Sequence, residues 1–188
     1  ADGDAPTDNP DFQLLLSSTG FSEKKWSTYL HNTLQIKEVI RVMSGIMEKY
    51  DPDKKISLFV DEWGSMHLDK PSNENFFLQQ NTLLDALIAA LNLNIFHRHT
   101  ERVRMGTISM MVNTYQSLIL TNEEKMILTP TYHIYDMYQP FKGAAAYPVV
   151  VTGPEYEYEG RGLPAVDVSA AKSQDPKLYL ALLDLGPH

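Results

Sequence analysis

Apolar positions recur near helical spacing from Trp26 through Leu30, Leu34, Ile40 and Met43 to Met47, with Ser22 as an N-cap and Tyr50-Asp51-Pro52 as a stop. This pattern predicts one amphipathic helix. Next, Lys54 to Gly64 contains the continuous run Ile56-Ser57-Leu58-Phe59-Val60, too short for a helix and suited to a parallel strand covered on both faces. After a polar loop with Pro71, Ser72 and Asn73, the stretch from Phe76 to about His99 predicts a long, largely buried helix. Val103 to Asn113 reads as a second buried strand, Tyr115 to Leu120 as an apolar stretch of undefined type, and Pro130 to Phe141 as a short aromatic helix. Helix, strand, helix, strand, helix is the order of β/α units around a parallel sheet.

The texture changes after Lys142-Gly143. The runs Pro148 to Gly153, Glu155 to Gly160, Val166 to Val168 and Leu178 to Leu183 are short and separated by Gly and Pro, as in an antiparallel sheet of a second, all-β domain. Only two parallel strands are visible in the first part, whereas a closed β/α barrel needs eight strands and about 250 residues. The chain is therefore expected to be a fragment. Residues 1 to 20, rich in Asp, Pro and Ser apart from Phe12, Leu14, Leu15 and Leu16, read as a loop or a cut end.

Composition narrows the classes of function. With 43% hydrophobic and 21% charged residues, the 188-residue chain has ordinary globular material for a core. Its 24 acidic against 16 basic residues form no Lys/Arg stripe, which argues against nucleic acid and anionic membrane as partners. No apolar run approaches the roughly 20 residues of a membrane span. The absence of cysteine excludes disulfides, thiolate metal sites and a cysteine nucleophile. The polar, acidic start lacks the features of a signal peptide and leaves the compartment open, leaning to the cytoplasm. No zinc-type His spacing, phosphate-binding glycine loop or nucleophile-elbow serine is present, so no metal or cofactor is expected.

The candidate chemistry lies at the end of the first strand. A carboxylate just beyond Leu58-Phe59-Val60 is costly to bury alone, so Glu62 must face a polar cavity, pair with a cation or carry a task. Strand-end acids also anchor loops. Beside it, Trp63 offers either an aromatic sugar platform or a core residue, and Gly64 permits close backbone approach. Asp61 is read as a support for Glu62 or as a structural rim residue. His67 reads as an exposed loop histidine or as one reaching the cavity, and His97 and His99 as partners of a helix C-terminus. The alternation of Glu155, Glu157 and Glu159 with Tyr156 and Tyr158 fits an exposed strand face.

Several ordered blocks now add up to a resemblance: Ile56 to Gly64, Phe77 to Leu83, Asp85-Ala86-Leu87, Asn92 to His97, Thr129 to His133, and Leu178 to Leu183. With Gly20 through Trp26 and Met47 to Pro52, they resemble glycoside hydrolase family 51, the α-L-arabinofuranosidases, over most of the chain from Thr19 onward. The resemblance implies α/β architecture, with residues 1–143 the C-terminal portion of a (β/α)8 TIM barrel and 144–188 the beginning of a β-sandwich. It implies that Ile56 to Glu62 is barrel strand seven and Val103 to Asn113 strand eight. It further implies a retaining hydrolase that releases terminal arabinofuranosyl groups from plant cell-wall polysaccharides or oligosaccharides, with Glu62 as nucleophile and a homo-oligomeric full-length form. The family's acid/base, a Glu in an Asn-Glu pair ending strand four, is expected to be missing here, leaving the fragment alone inactive. Asn73-Glu74 and Asn122-Glu123 both follow the nucleophile and read as loop or cap residues.

Two positions depart from the family pattern. Met66 stands where a second Trp often closes the sugar subsite, and Met110 where a strand-eight Gln commonly reaches the sugar. Trp63, Met66 and Met110 are thus the candidate substrate-binding residues. Because a thioether cannot replace an amide's hydrogen bonds, xylosidase or endoglucanase specificity is the near alternative. A non-catalytic sugar-binding or assembly module is the alternative from another class.

Overall fold

A computed structural model describes residues 18–20, 22–67, 78–175 and 177–187. Helix α1 spans Glu23–Glu48, and Ser22 caps it by accepting from the Lys25 amide. Strand β1 (Leu58–Trp63), helix α2 (Leu83–Arg98) and strand β2 (Val103–Ile108) follow, with β1 and β2 paired in parallel. The predicted β/α order is therefore present as a strand–helix–strand unit, with α1 packed against α2.

Helix α2 starts later than its apolar run predicts. Residues 76–77 lie outside the described residues, 78–82 carry no regular structure, and Asp85 accepts from the Thr82 amide and hydroxyl at 2.6 and 3.0 Å. A capping box thus sets the first turn, whereas hydrophobicity alone runs on across the boundary. Burial on nearly all sides, from Leu84 through Leu91 to Phe96, marks α2 as the central helix.

Strand β2 is also shorter than expected, ending at Ile108 rather than Asn113. Met110, Met111 and Val112 are exposed, and the Met111 carbonyl accepts from the Leu118 and Ile119 amides, which turns the chain away from the sheet. It continues as a hairpin of β3 (Ile119–Asn122) and β4 (Lys125–Leu128). Helix α3 (Pro130–Met137) has Thr129 as N-cap and Pro130 at its first position, and a 3-10 turn covers Gln139–Phe141.

The C-terminal part is β-rich. Strands β5 (Ala145–Tyr147), β8 (Val166–Lys172) and β9 (Leu178–Asp184) form an antiparallel sheet in the order β5-β8-β9, and β6 (Glu155–Tyr158) pairs with β7 (Arg161–Pro164). The run Pro148 to Gly153 is not a strand. Pro148 contributes no amide to a ladder, and Val150 is 92% exposed.

Both parts share one core. Leu163, Leu183 and Leu185 join the cluster that holds Leu30, Leu91 and Ile95, and the Trp26 indole N–H donates to the Leu185 carbonyl at 2.9 Å. The β8 strand seats on α2 through polar contacts: Ser169 Oγ donates to Asn94 Oδ1 at 2.6 Å, and Arg98 pairs with Asp167 at 3.0 Å. His97 faces this seam, its ring stacked on Phe141 at 4.8 Å, rather than the helix terminus. His99 does bond the terminal carbonyl of Ile95, at 2.8 Å.

At the N-terminal ends of the parallel strands, the buried Arg102 guanidinium binds the Asp51 carboxylate at 2.6 Å and the Ile56 and Asp51 carbonyls at 3.0 Å each. The two backbone amides at Ile56 and Lys55, with Arg102, hold the Asp51 carboxyl below the usual range against the opposing effect of burial.

Candidate active site

The register of β1 against β2 contains an irregularity at Glu62. Asp61 pairs with Thr107 and Trp63 with Ile108, so Glu62 is an extra residue in its strand, a β-bulge. Its φ is +53°, a left-handed value that an L-residue adopts only at a cost of about 1–3 kcal/mol. The carboxylate-bearing residue is exposed.

The bulge resets the alternation of side chains. Leu58 and Val60 face the helix layer and Phe59 and Asp61 the open side, so plain alternation would put Trp63 on the open side. One inserted residue returns Trp63 to the helix layer instead. There it is buried, edge-on to Phe96 at 5.4 Å and stacked on Tyr135 at 6.4 Å. Of the two readings the sequence leaves open for Trp63, the ring takes up the core one, and the residue also lines the cleft beside Glu62. Burial raises the Tyr135 hydroxyl to a pKa of about 12 although Ile108 supports its ionised form.

Glu62 and Met66 line an open cleft of about 590 Å³ between α1 and β1, together with Tyr29, Asn32, Thr33 and Asn92. Met66 is 51% exposed. Met110 is also exposed but is not among the residues of that cleft; it lies in the segment after β2. Asp61 accepts from the Thr107 hydroxyl at 3.1 Å and so ties the strand ends together. Asn122-Glu123 falls in the turn between β3 and β4, and Asn73-Glu74 lies outside the described residues. Among the described residues, no group of three His, Cys, Asp or Glu side chains is arranged to hold a metal.

Sequence reasoning missed what stands behind the bulge. Gly64, at φ +145°, leads into Ser65 and His67, both buried, so His67 is neither an exposed loop residue nor a free cavity group. Asp85, fully buried, accepts through Oδ1 from the Ser65 hydroxyl and contacts His67 Nε2 at 2.9 Å. The Gln116 side-chain oxygen takes the Ser65 amide at 2.6 Å while its amide nitrogen donates to the Asp85 carbonyl. Tyr29 OH lies 3.0 Å from His67 Nδ1, and Gln79 takes the His67 amide at 2.8 Å. Burial alone would raise the Asp85 carboxyl, but His67, Ser65 and the Thr82 amide outweigh it and hold it below the usual range. Although Ser, His and Asp meet here, both Ser65 and His67 bond to the carboxylate rather than to each other, which is not the order of a nucleophilic triad.

The geometry places a bulged acid at the end of a parallel strand, and comparison with known proteins identifies the lineage. A family model described as the alpha-L-arabinofuranosidase C-terminal domain matches residues 61–183. The chain belongs to this family. Its match begins inside β1, so this family segment includes Glu62 and, behind it, Ser65, His67, Asp85 and Gln116. An intracellular exo-α-L-arabinofuranosidase from Bacteroides ovatus is 36% identical over 88% of the chain and 33% of its own length. The crystal structure of the GH51 arabinofuranosidase from Xanthomonas axonopodis pv. citri matches with 47% identity and a TM-score of 0.86, over 90% of the chain and 34% of its own. A family 51 α-L-arabinofuranosidase from Bifidobacterium longum, at 18% identity and TM-score 0.72, shares the fold over 87% of this chain and 35% of its own. The chain thus spans about one third of the length of these relatives. No helix among the described residues is long and apolar enough to cross a membrane.

Proposed function

We propose that this chain is the nucleophile-bearing part of a retaining α-L-arabinofuranosidase whose complete form releases terminal arabinofuranosyl groups from plant cell-wall glycans. The observation that carries this reading is Glu62 itself: an exposed carboxylate residue on a left-handed bulge at the C-terminal end of a parallel strand. Lys54, Asn113, Glu123 and Glu159 take similar φ values outside the strands, but Glu62 combines this strain with a strand C-terminus, where β/α folds place their chemistry. Family membership supports an arabinofuranoside as the substrate class.

In this reading residues 1–143 are the last part of a (β/α)8 barrel and 144–188 the start of a β-sandwich. The Glu62 carboxylate attacks the anomeric carbon while a protonated carboxyl about 5 Å away, contributed by the remainder of the protein, donates to the leaving oxygen. The resulting glycosyl–Glu62 ester is hydrolysed by water activated by the same partner. Met66 flanks Glu62 in the cleft and offers the sugar an apolar surface, whereas Trp63 supports the strand end from below. An intracellular compartment is proposed from the Bacteroides relative's description.

The test is hydrolysis of an aryl α-L-arabinofuranoside by the full-length protein. Glu62→Ala is expected to lower the rate by at least about 1,000-fold. An unchanged rate removes Glu62 from the chemistry, and absence of hydrolysis by the wild type favours a sugar-binding module instead. Release of aryl xyloside in preference to arabinofuranoside would point to the neighbouring specificity through Met66 and Met110.

A further inference from the structure

A strained acid is useful only if something prevents it from relaxing. The segment after Glu62 is gripped from two sides. The Ser65 amide donates to Gln116 Oε1 at 2.6 Å and its hydroxyl donates to Asp85 Oδ1, so both donors of one residue are committed. Two residues on, the His67 ring reaches the same Asp85 oxygen at 2.9 Å. The other oxygen, Oδ2, accepts from the Thr82 amide and hydroxyl and so anchors the carboxylate to the first turn of α2. One buried carboxylate therefore joins the central helix to the chain leaving the bulge.

We propose that Asp85 is a positioning residue for Glu62, holding the bulged strand end so that the nucleophile carboxylate stays aimed at the cleft. This rests on the retaining-hydrolase reading above. Three physical features support it. An ordinary N-terminal capping acid needs only the helix amide and is usually solvated, whereas Asp85 is fully buried and divides its oxygens between helix and loop. Between Glu62 and Ser65 lies Gly64, whose φ of +145° gives the backbone a conformation with little restoring force of its own. Glu62 holds its φ of +53° between Asp61, which accepts from Thr107, and the Asp85–Ser65–Gln116 grip three residues on, which fixes the chain beyond the bulge. Displacing a reacting group by about 1 Å costs on the order of 100-fold in rate, so loss of this grip acts on turnover more than on sugar binding.

The experiment uses full-length protein with Asp85→Asn, Ser65→Ala and, as a control for lost stability, Ser169→Ala at the α2–β8 seam. Steady-state kinetics on an aryl α-L-arabinofuranoside are measured well below the lowest melting temperature, alongside amide hydrogen exchange of the peptide covering residues 58–67. Asp85→Asn is expected to lower kcat about 100-fold with KM within about threefold, and Ser65→Ala to lower kcat about tenfold. Both are expected to speed exchange in the 58–67 peptide, while Ser169→Ala lowers the melting temperature without changing kcat or that exchange. Unchanged kcat in Asp85→Asn, or losses of kcat that follow melting temperature across all three variants, would overturn the proposal. If Asp85→Asn does not fold, Ser65→Ala decides by the same two readouts. A wild type without hydrolysis defeats the enzymatic reading separately; exchange in the 58–67 peptide that is indifferent to Asp85→Asn and Ser65→Ala then defeats the grip as well.

Discussion

At the scale of single residues, one insertion determines what each side chain at the strand end does. Glu62 stands out in the sequence as a candidate through its place at the end of Leu58-Phe59-Val60 together with the resemblance of the surrounding blocks, since Asp61 shares the position. For Trp63 the sequence leaves a core residue and a sugar platform both open, and the reason its ring is buried becomes visible only when Asp61 and Trp63 pair with consecutive residues of β2. His67 and Ser65 were hidden for a related reason: their partners Asp85 and Gln116 are 18 and 51 residues away. Gly64 is the most sensitive position in this stretch. A Cβ there would sit 3.1 Å from Gln116 Oε1 at a φ of +145°. Gly64→Ala is therefore expected to destabilise the fold by roughly 1–3 kcal/mol, read as a lower urea midpoint. An unchanged midpoint would mean that the turn is held less tightly than its hydrogen bonds indicate.

Among the elements, those with local stop and start signals were readable. Ser22 and Pro130 mark helix starts in the sequence, and each stands where it is expected. The β3–β4 hairpin was not readable, because Glu123 and Glu124 are not the usual turn pair and its residues are mostly exposed. The seam between α2 and β8 was invisible as well, since it joins residues about 70 positions apart. It makes a pH prediction. Burial, reinforced by the Arg98 charge, lowers the His97 pKa from 6.5 to about 4, so the folded state holds a neutral imidazole and the unfolded chain takes up the proton first. Its contribution to stability is complete above pH 6.5 and is lost as the pH falls toward 4. Asp167 and Tyr138 also face this seam, and the Tyr138 hydroxyl is raised by burial and by Asp167. Wild type is expected to lose on the order of 2 kcal/mol across that window through this group, and His97→Gln to lose correspondingly less. Parallel urea titrations at the two pH values measure the difference; equal losses would place the acid sensitivity elsewhere.

Over the whole molecule, the α/β order and the later β-rich part could be inferred from texture alone, while the shared core between them could not. Leu163, Leu183 and Leu185 contact a cluster built mainly from α1 and α2, so the change of texture near Lys142-Gly143 is not a break in packing. Large apolar residues remain open: Leu178, Leu180 and Leu182 on β9, and Val39, Val42, Met43 and Ile46 on α1. These faces, with a parallel sheet of two strands, predict that the 188 residues expressed alone self-associate. Light scattering after size exclusion checks this, and a monomer with a sharp cooperative melt would contradict it.

Everything specific to function converges on whether Glu62 forms a covalent bond with the sugar. The most direct measurement is mass spectrometry of the peptides of full-length protein after reaction with an arabinofuranose-configured epoxide, which esterifies a retaining nucleophile. An adduct confined to the peptide carrying Glu62, and absent in Glu62→Ala, is the predicted result. An active enzyme whose adduct forms on another carboxylate would contradict the assignment of Glu62 as nucleophile.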